Sequence, residues 1–156
     1  MRRVLVAAVV AAASAAACGG GGGGGVDSPC DLADAAMVQE AFGGNVADGV
    51  EGEARNCDFE IAGGLVPSVN VYHFGDASGF EGTRSGFEDN LGGTTDVPGI
   101  GDEAFYSNDS GPTALVVSAG GVIFEVQVFA LFVDLPAGSE EAVAALARAI
   151  ATNLEG

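Results

Sequence analysis

Two neighbouring apolar segments in the C-terminal half of the chain constrain its fold most strongly. Residues 114–119 and 122–133 are rich in β-branched and aromatic side chains, and only Gly120-Gly121 separates them. Consecutive glycines adopt the positive φ angles of a tight hairpin turn without a steric penalty. The two segments are therefore predicted to be adjacent antiparallel strands.

The second of these segments alternates between two sets of side chains, as a strand with one buried face does. We predict that the first set faces the core and that the second set is partly solvated. The first set is Val122, Phe124, Val126 and Val128, and the second is Ile123, Glu125 and Gln127.

Three further strands are predicted from extended or alternating patterns. Glycine and proline at 97–101 indicate a turn before the last of them, and residues 108–112 indicate a reversal after it. The strands are predicted at 54–61, 68–74 and 104–107. In the second strand, Val69, Val71 and His73 are predicted on one face and Asn70, Tyr72 and Phe74 on the other.

Helices are predicted near both ends of the chain that follows residue 25. Asp31, with Asp34 three residues on, is predicted to cap the first helix, which ends at Gly43-Gly44. Ser139 is predicted to cap the last one, with acidic residues in its first turn. The apolar positions are Leu32, Ala35, Ala36, Val38 and Phe42 in the first helix, and Val143, Leu146, Ile150 and Leu154 in the last.

A third, weaker helix is predicted in the middle of the chain. Large apolar residues recur at helical spacing around Arg84, but Gly79, Gly82 and Gly86 lower the helix propensity. The apolar positions are Phe80, Phe87 and Leu91. Together these elements predict an α+β fold, a single domain over residues 26–156 with an antiparallel sheet of about five strands and two to three packed helices.

The first 17 residues are predicted to be a signal peptide. Arg2 and Arg3 precede an apolar run at residues 4–13, and small residues follow before Cys18. The run is shorter than the ~20 apolar residues that span a bilayer.

Cys18 is predicted to carry a lipid anchor. Ala15-Ala16-Ala17-Cys18 is similar to the lipobox of bacterial lipoproteins, in which the cysteine thiol accepts the lipid, although Ala15 replaces the usual leucine. Seven glycines, residues 19–25, then form a flexible tether with an r.m.s. span of about 15 Å. The alternative is plain secretion, with Cys18 left over or removed with the signal peptide.

If Cys18 carries the lipid, Cys30 and Cys57 remain as an even pair in an oxidising compartment. We expect a Cys30–Cys57 disulfide, and two free buried thiols are the alternative. The cysteines lack the clustered spacing of a zinc site.

The charge balance excludes some partners. The sequence has 22 acidic residues and no lysine, and cleavage after residue 17 leaves three arginines and a formal charge of −19. Such a charge repels nucleic acids and anionic headgroups. A cationic partner, or simple solubility, fits it better.

Catalytic and metal-binding patterns are weak. His73 is the only histidine, and no serine lies in a Gly-x-Ser-x-Gly turn. Acidic pairs such as Glu51 with Glu53 or Asp102 with Glu103 are expected by chance in so acidic a chain, and a solvated surface explains them. The oxygen-rich segment at 108–110 lacks the spacing of a calcium loop, and no glycine-rich stretch forms a phosphate cradle. We expect no cofactor and no metal.

The order of motifs resembles a family of actinobacterial lipoproteins of unknown function. The resemblance covers most of the chain after the predicted cleavage site, and it implies a disulfide, an α+β sheet domain and surface display, with no established activity. Phe59 stands where an aromatic, commonly tryptophan, follows the second cysteine. The motifs are Ser28-Pro29-Cys30-Asp31-Leu32, Cys57-Asp58-Phe59 and Gly99-Ile100-Gly101-Asp102-Glu103-Ala104-Phe105.

These features predict a lipid-anchored, non-enzymatic envelope protein at the outer face of the cytoplasmic membrane. We expect a monomer that is held to the membrane through its lipid, binds an unknown ligand or envelope protein, and does not bind nucleic acid. An exported enzyme with a site of carboxylates and His73, and an accessory subunit of an envelope complex or sensor, are the alternatives.

Overall fold

The structure, a computed structural model, describes residues 26–108, 113–128 and 135–156. They form an antiparallel sheet with α-helices, which confirms the predicted α+β class. The helices are α1 (Ala35–Phe42), α2 (Phe80–Asn90) and α3 (Ser139–Glu155), with 3-10 turns at Pro29–Asp31 and Ala77–Gly79. The strands are β1 (Asn45–Val46), β2 (Val50–Glu51), β3 (Asn56–Ala62), β4 (Ser68–Asp76), β5 (Thr94–Asp96), β6 (Glu103–Ser107), β7 (Ala114–Ala119) and β8 (Val122–Val128).

The sheet has eight strands in the described residues, more than the five predicted. The five predicted strands correspond to β3, β4, β6, β7 and β8. The additional ones, β1, β2 and β5, have only two or three residues each. Segments this short carry no detectable alternation, so a sequence pattern cannot reveal them.

The strand order is β1-β3-β4-β8-β7-β6-β5, and β2 also pairs with β3. The predicted hairpin joins β7 to β8, and Gly120 and Gly121 have φ angles of 56° and 85°. Strand β8 lies between β4 and β7, so the centre of the sheet combines distant parts of the chain. The predicted continuation of this strand to residue 133 and the reversal at 109–112 lie outside the described residues.

One face of the sheet packs against α1 and α3, which form the main core. Val69, Val71 and His73 lie together on this face, as the alternation of β4 predicted, and all three are buried. The alternating apolar set of β8 is buried here too. The largest fully buried side chains of this core include Val38 from α1, Leu146 and Ile150 from α3, and Phe59, Leu115 and Phe124 from the sheet.

The opposite face is buried along its middle, which corrects the prediction that Ile123 and Glu125 are partly solvated. Ile123 is 1% exposed and Glu125 is 5% exposed, whereas Gln127 is half-buried as predicted. Ile123 is covered because α2 packs on part of this face and forms a second apolar cluster there. That cluster contains Phe80, Phe105, Val116 and Ile123, with Phe87 packed against it.

Both predicted helix caps are displaced. Asp34, and not Asp31, caps α1 by accepting a 2.8 Å hydrogen bond from the Met37 backbone N–H. Asp31 instead ends a 3-10 turn that Ser28 caps. At the start of α3, Gly138 occupies the cap position.

Ser139 is a buried member of the first turn of α3, and its hydroxyl donates to the Pro136 carbonyl oxygen at 2.8 Å. The start of α3 has no side-chain cap hydrogen bond, and its first turn is instead held by burial against the rest of the protein. The predicted apolar stripe of α3 is buried except for Leu154, which is half-buried.

The Cys30–Cys57 disulfide is present, as predicted. It connects the 3-10 turn at Pro29–Asp31 to β3 and closes a separation of 27 residues. Cys57 is fully buried in the main core, so the bridge fixes the N-terminal segment against the sheet.

The hairpin turn provides a test of the fold. A Cβ added at Gly120 would lie 2.5 Å from the Leu154 carbonyl oxygen, whereas one at Gly121 would meet nothing within 4 Å. Both positions have positive φ, which costs a non-glycine residue roughly 1 kcal/mol. We therefore expect Gly121→Ala to lower the free energy of unfolding by about 1 kcal/mol and Gly120→Ala by about 2 to 4 kcal/mol. Urea denaturation of the two variants measures the difference, and equal losses would contradict the close approach of the turn to α3.

Candidate functional site

The two faces of the sheet differ in their chemistry. Directly paired residues of antiparallel strands point to the same face, so the register assigns each side chain to one side. The face under α1 and α3 is apolar. The other face, which we call the Glu125 face, carries a polar group of residues on β3, β4 and β8. These residues are Asn56, Asp58, Asn70, Tyr72, Glu125 and Gln127.

Glu125 is the most unusual of these residues. It lies in the middle of central strand β8, between Tyr72 on β4 and Val116 on β7. Its side chain is almost fully buried, and no described residue donates a hydrogen bond to its carboxyl or forms an ion pair with it. Burial alone raises the pKa of Glu125 to about 7, because a charged carboxylate is poorly solvated there.

Tyr72 and Asp58 share the environment of Glu125. Burial, followed by the nearby charges of Glu125 and Asp58, raises the pKa of Tyr72. The Oδ1 atom of Asp58 is buried and has no hydrogen-bond partner. A buried acceptor without a donor costs free energy, so the Glu125 face contains two carboxyl groups whose hydrogen-bonding capacity is not used.

Two amides extend this polar group towards the edge of the sheet. Asn56 Nδ2 donates a 2.6 Å hydrogen bond to Asn70 Oδ1. Asn70 pairs across the strands with both Asp58 and Gln127. The amides are half-buried, and they place further hydrogen-bonding groups next to the two carboxyl groups.

Further along the same face, the guanidinium of Arg84 of α2 lies beside two aromatic rings and a carboxylate, while its Nε atom is buried without a hydrogen-bond partner. Its guanidinium carbon lies 5.5 Å from the centroid of the Phe80 ring and 5.1 Å from that of Phe105. Arg84 Nη1 donates to Asp96 Oδ1 at 2.5 Å. A cation, two aromatic rings and a carboxylate are thus combined at one end of this face.

Aromatic rings also border the Glu125 end. The rings of Tyr72 and Phe74 stack with a centroid distance of 6.2 Å, and Phe74 meets Phe87 of α2 edge-on at 6.3 Å. Phe74 is 40% exposed, although large apolar side chains are usually covered. An accessible aromatic surface therefore lies beside the polar group.

His73 does not join this site. It points to the opposite face, where Arg55 Nη2 lies 3.1 Å from its Nδ1 atom. Burial and then the Arg55 charge lower the pKa of His73, and a backbone hydrogen bond with Gly75 opposes them. The sheet separates His73 from Glu125, so the described residues do not assemble a combined site of His73 and carboxylates.

The other predicted candidates are dispersed over the surface. Glu51, Glu53, Asp102 and Glu103 are exposed, and Glu51 accepts a 2.9 Å hydrogen bond from the Ser28 hydroxyl. Within residues 26–108, 113–128 and 135–156, no three His, Cys, Asp or Glu side chains lie close enough to hold a metal ion.

In the oxygen-rich segment at 108–110, Asn108 Oδ1 accepts a 2.7 Å hydrogen bond from the Thr95 hydroxyl. Asp109 and Ser110 lie outside the described residues, as does the predicted lipidation site Cys18.

Sequence reasoning missed Glu125 because alternation assigned it to a wet face. Another pattern indicated that both faces of β8 are buried. Val122, Ile123 and Phe124 form a continuous apolar run, which is typical of strands covered on both sides. A carboxylate just after such a run would have been expected in a buried position. Tyr72 and Asp58 could not have been grouped with it, because the pairing of β4 with β8 is not visible in the sequence.

The buried carboxyl predicts a specific dependence of stability on pH. The folded chain keeps the Glu125 proton up to about pH 7, whereas the unfolded chain releases it near 4.5. The free energy of unfolding should therefore fall as pH rises between these values, by about 3 kcal/mol in total. Glu125→Gln removes this loss, so it should stabilise the protein by about 2 to 3 kcal/mol at pH 8 and change little at pH 4.5.

Urea denaturation of the wild type and the variant at the two pH values measures this effect. Glu60→Gln is the matched control, because Glu60 is an exposed residue on the same face of β3. An equal effect of Glu125→Gln at both pH values would show that the carboxyl does not titrate near neutral pH.

Comparison with known proteins finds no match to this chain: no protein-family model, curated protein or solved structure is significantly similar to it. Among the described residues, no helix is both long and apolar enough to cross a membrane. The resemblance to actinobacterial lipoproteins therefore depends on the sequence motifs and stays a prediction.

Proposed function

We propose that the protein is a non-enzymatic, lipid-anchored component of the cell envelope that binds a ligand on its Glu125 face. The observation that carries the binding proposal is the buried carboxyl of Glu125, which has no partner in the described chain. Such a group lowers stability, and groups of this kind concentrate at functional sites. A ligand that supplies the missing partner would offset the cost.

The proposed location depends on the N-terminal sequence. A signal peptide at residues 1–17, a lipid on Cys18 and a tether at residues 19–25 would hold the domain within about 15 Å of the outer face of the cytoplasmic membrane. The Cys30–Cys57 disulfide supports an oxidising compartment, where such bonds persist. An exported domain beside a membrane would meet small molecules and envelope proteins.

Binding is favoured over catalysis by the positions of the reactive groups. His73 contacts Arg55 on one face, and Glu125 lies on the other. An enzyme stays the second candidate because a carboxyl with a pKa near 7 has the property of a general acid. An accessory subunit of an envelope complex is the third, and Val50 and Phe74 are exposed apolar side chains that such a contact would cover.

The lipid anchor predicts the fate of a Cys18 variant. Expressed in an actinobacterial host, the wild-type chain should partition with membranes and begin at a diacylglyceryl-modified Cys18. Cys18→Ser removes the thiol that accepts the lipid, so the variant should lose the modification and the mature N-terminus. Membrane fractionation and mass spectrometry of the N-terminal peptide measure both properties. An unmodified N-terminus at Cys18, or cleavage at another position, would overturn the anchoring proposal.

Ligand binding predicts a Glu125-dependent thermal shift. A small-molecule extract of the cell envelope should raise the melting temperature of the wild type, since a ligand of the folded state stabilises it. Glu125→Gln should abolish the shift, and Glu60→Gln should retain it. Each protein is compared with itself in buffer, so the intrinsic stability of the variants does not enter. Equal shifts for the wild type and Glu125→Gln would show that the ligand binds elsewhere.

A further inference from the structure

We infer that the ligand of the Glu125 face is an organic cation, a protonated primary amine on an apolar body, with Glu125 and Asp58 as its counter-ions and the Tyr72 ring beside it. This inference rests on the proposed binding function of the same site. It names the chemical class that the unused groups of the site would recognise.

No cation of the described chain is available to Glu125. The sequence has no lysine, and Arg55 contacts His73 on the other face. Arg84 is engaged with Asp96, and Arg148 lies on α3, which packs against the other face. A buried carboxylate normally has a positive partner. Here that partner would have to be brought by a ligand.

The carboxylate and one of the rings that contact Arg84 lie in the same cross-strand row as Glu125. Register places Asp96 opposite Phe105, Phe105 opposite Val116, and Val116 opposite Glu125. The row continues to Tyr72 on β4. At one end an aromatic ring and a carboxylate hold the Arg84 guanidinium. At the other end an aromatic ring and a carboxylate occur again, and no cation of the described chain lies between them.

The groups of the Glu125 face favour an organic ammonium over a metal ion. A metal ion usually requires more carboxylate or other donor groups than this site offers, and the described residues contain no cluster of three potential ligands. A primary ammonium has three N–H donors and can bond the carboxyl of Glu125, and the unpartnered Oδ1 of Asp58 is a second acceptor on the same face. The stacked rings of Tyr72 and Phe74 give its apolar body a surface to contact.

The net charge of the chain supports the same choice. With 22 acidic and five basic residues, the protein attracts cations over a distance and repels anions. The titratable groups around Glu125 are the neutral phenol of Tyr72, directly opposite on β4, and Asp58 on β3, whose charge acts on the same phenol, while β7 contributes the uncharged Val116. From α2, Arg84 reaches Phe105 and Asp96 at the far end of the row.

The test compares two probes of nearly equal shape, benzylammonium and benzyl alcohol. Equilibrium dialysis and calorimetry use the full chain in nonionic detergent micelles at pH 7.5, with empty micelles subtracted. We expect the ammonium to bind at least about tenfold more tightly than the alcohol. Glu125→Gln should remove most of this preference, Asp58→Asn should reduce it partly, and Glu60→Gln should leave it unchanged.

Proton release gives an independent measurement. At pH 6 Glu125 is mostly protonated in the free protein, so pairing with an ammonium should release nearly one proton for each amine bound. Calorimetry in two buffers of different ionisation enthalpy measures this number. Equal affinity for the two probes, unchanged binding by Glu125→Gln, or binding without proton release would each overturn the cation inference.

Amide resonances of β4 and β8 separate this inference from the proposed function. If benzyl alcohol shifts these resonances and benzylammonium does not, the site binds ligands but the ligand class is wrong. If neither probe shifts them and the envelope extract gives no Glu125-dependent thermal shift, both proposals fail. Shifts caused by benzylammonium that are lost in Glu125→Gln support both.

Discussion

The antiparallel pairing of β4 with β8 is the interaction on which the rest of the structure depends. It joins the N-terminal strands β1–β4 to the C-terminal strands β5–β8, and the paired residues are 46 to 59 positions apart in the sequence. It also places Tyr72 opposite Glu125 and His73 opposite Phe124. Because adjacent residues of a strand point to opposite faces, the same register that assembles the polar site keeps His73 away from it.

The two faces of the sheet perform different tasks. The face under α1 and α3 supplies most of the apolar core, and the disulfide fastens the N-terminal segment there. On the Glu125 face, the short, glycine-containing helix α2 covers one end with a small aromatic cluster. The polar group lies beside that cluster, where a buried carboxyl lowers stability at neutral pH. A well-stabilised core on one side allows the other side to tolerate such a group.

Much of the fold could be predicted from local patterns. Gly120-Gly121 and the apolar segments around it predicted the central hairpin, and counting cysteines predicted the Cys30–Cys57 bridge. The same reasoning could not find β5, which has three residues, or the burial of Ser139 that replaces a helix cap. These features depend on tertiary contacts between distant segments, which local propensity does not contain.

The candidate site was less predictable than the fold. Alternation along β8 described the main core correctly but assigned Glu125 to solvent, because a single period cannot show that both faces of a central strand are covered. The grouping of Glu125 with Tyr72 and Asp58 further requires the register of three strands. His73 was considered beforehand as a possible catalytic residue, and its isolation from the carboxyl groups follows from that same register.

The most direct test of whether Glu125 is a buried acid without a counter-ion is the titration of its side-chain carboxyl by ¹³C NMR in the ligand-free protein. A midpoint near pH 7 is predicted, because burial without a counter-ion favours the protonated form. A midpoint near the ordinary value of 4.5 would mean that the carboxyl is solvated or already paired. It would contradict the central claim that the Glu125 face has an unused buried acid.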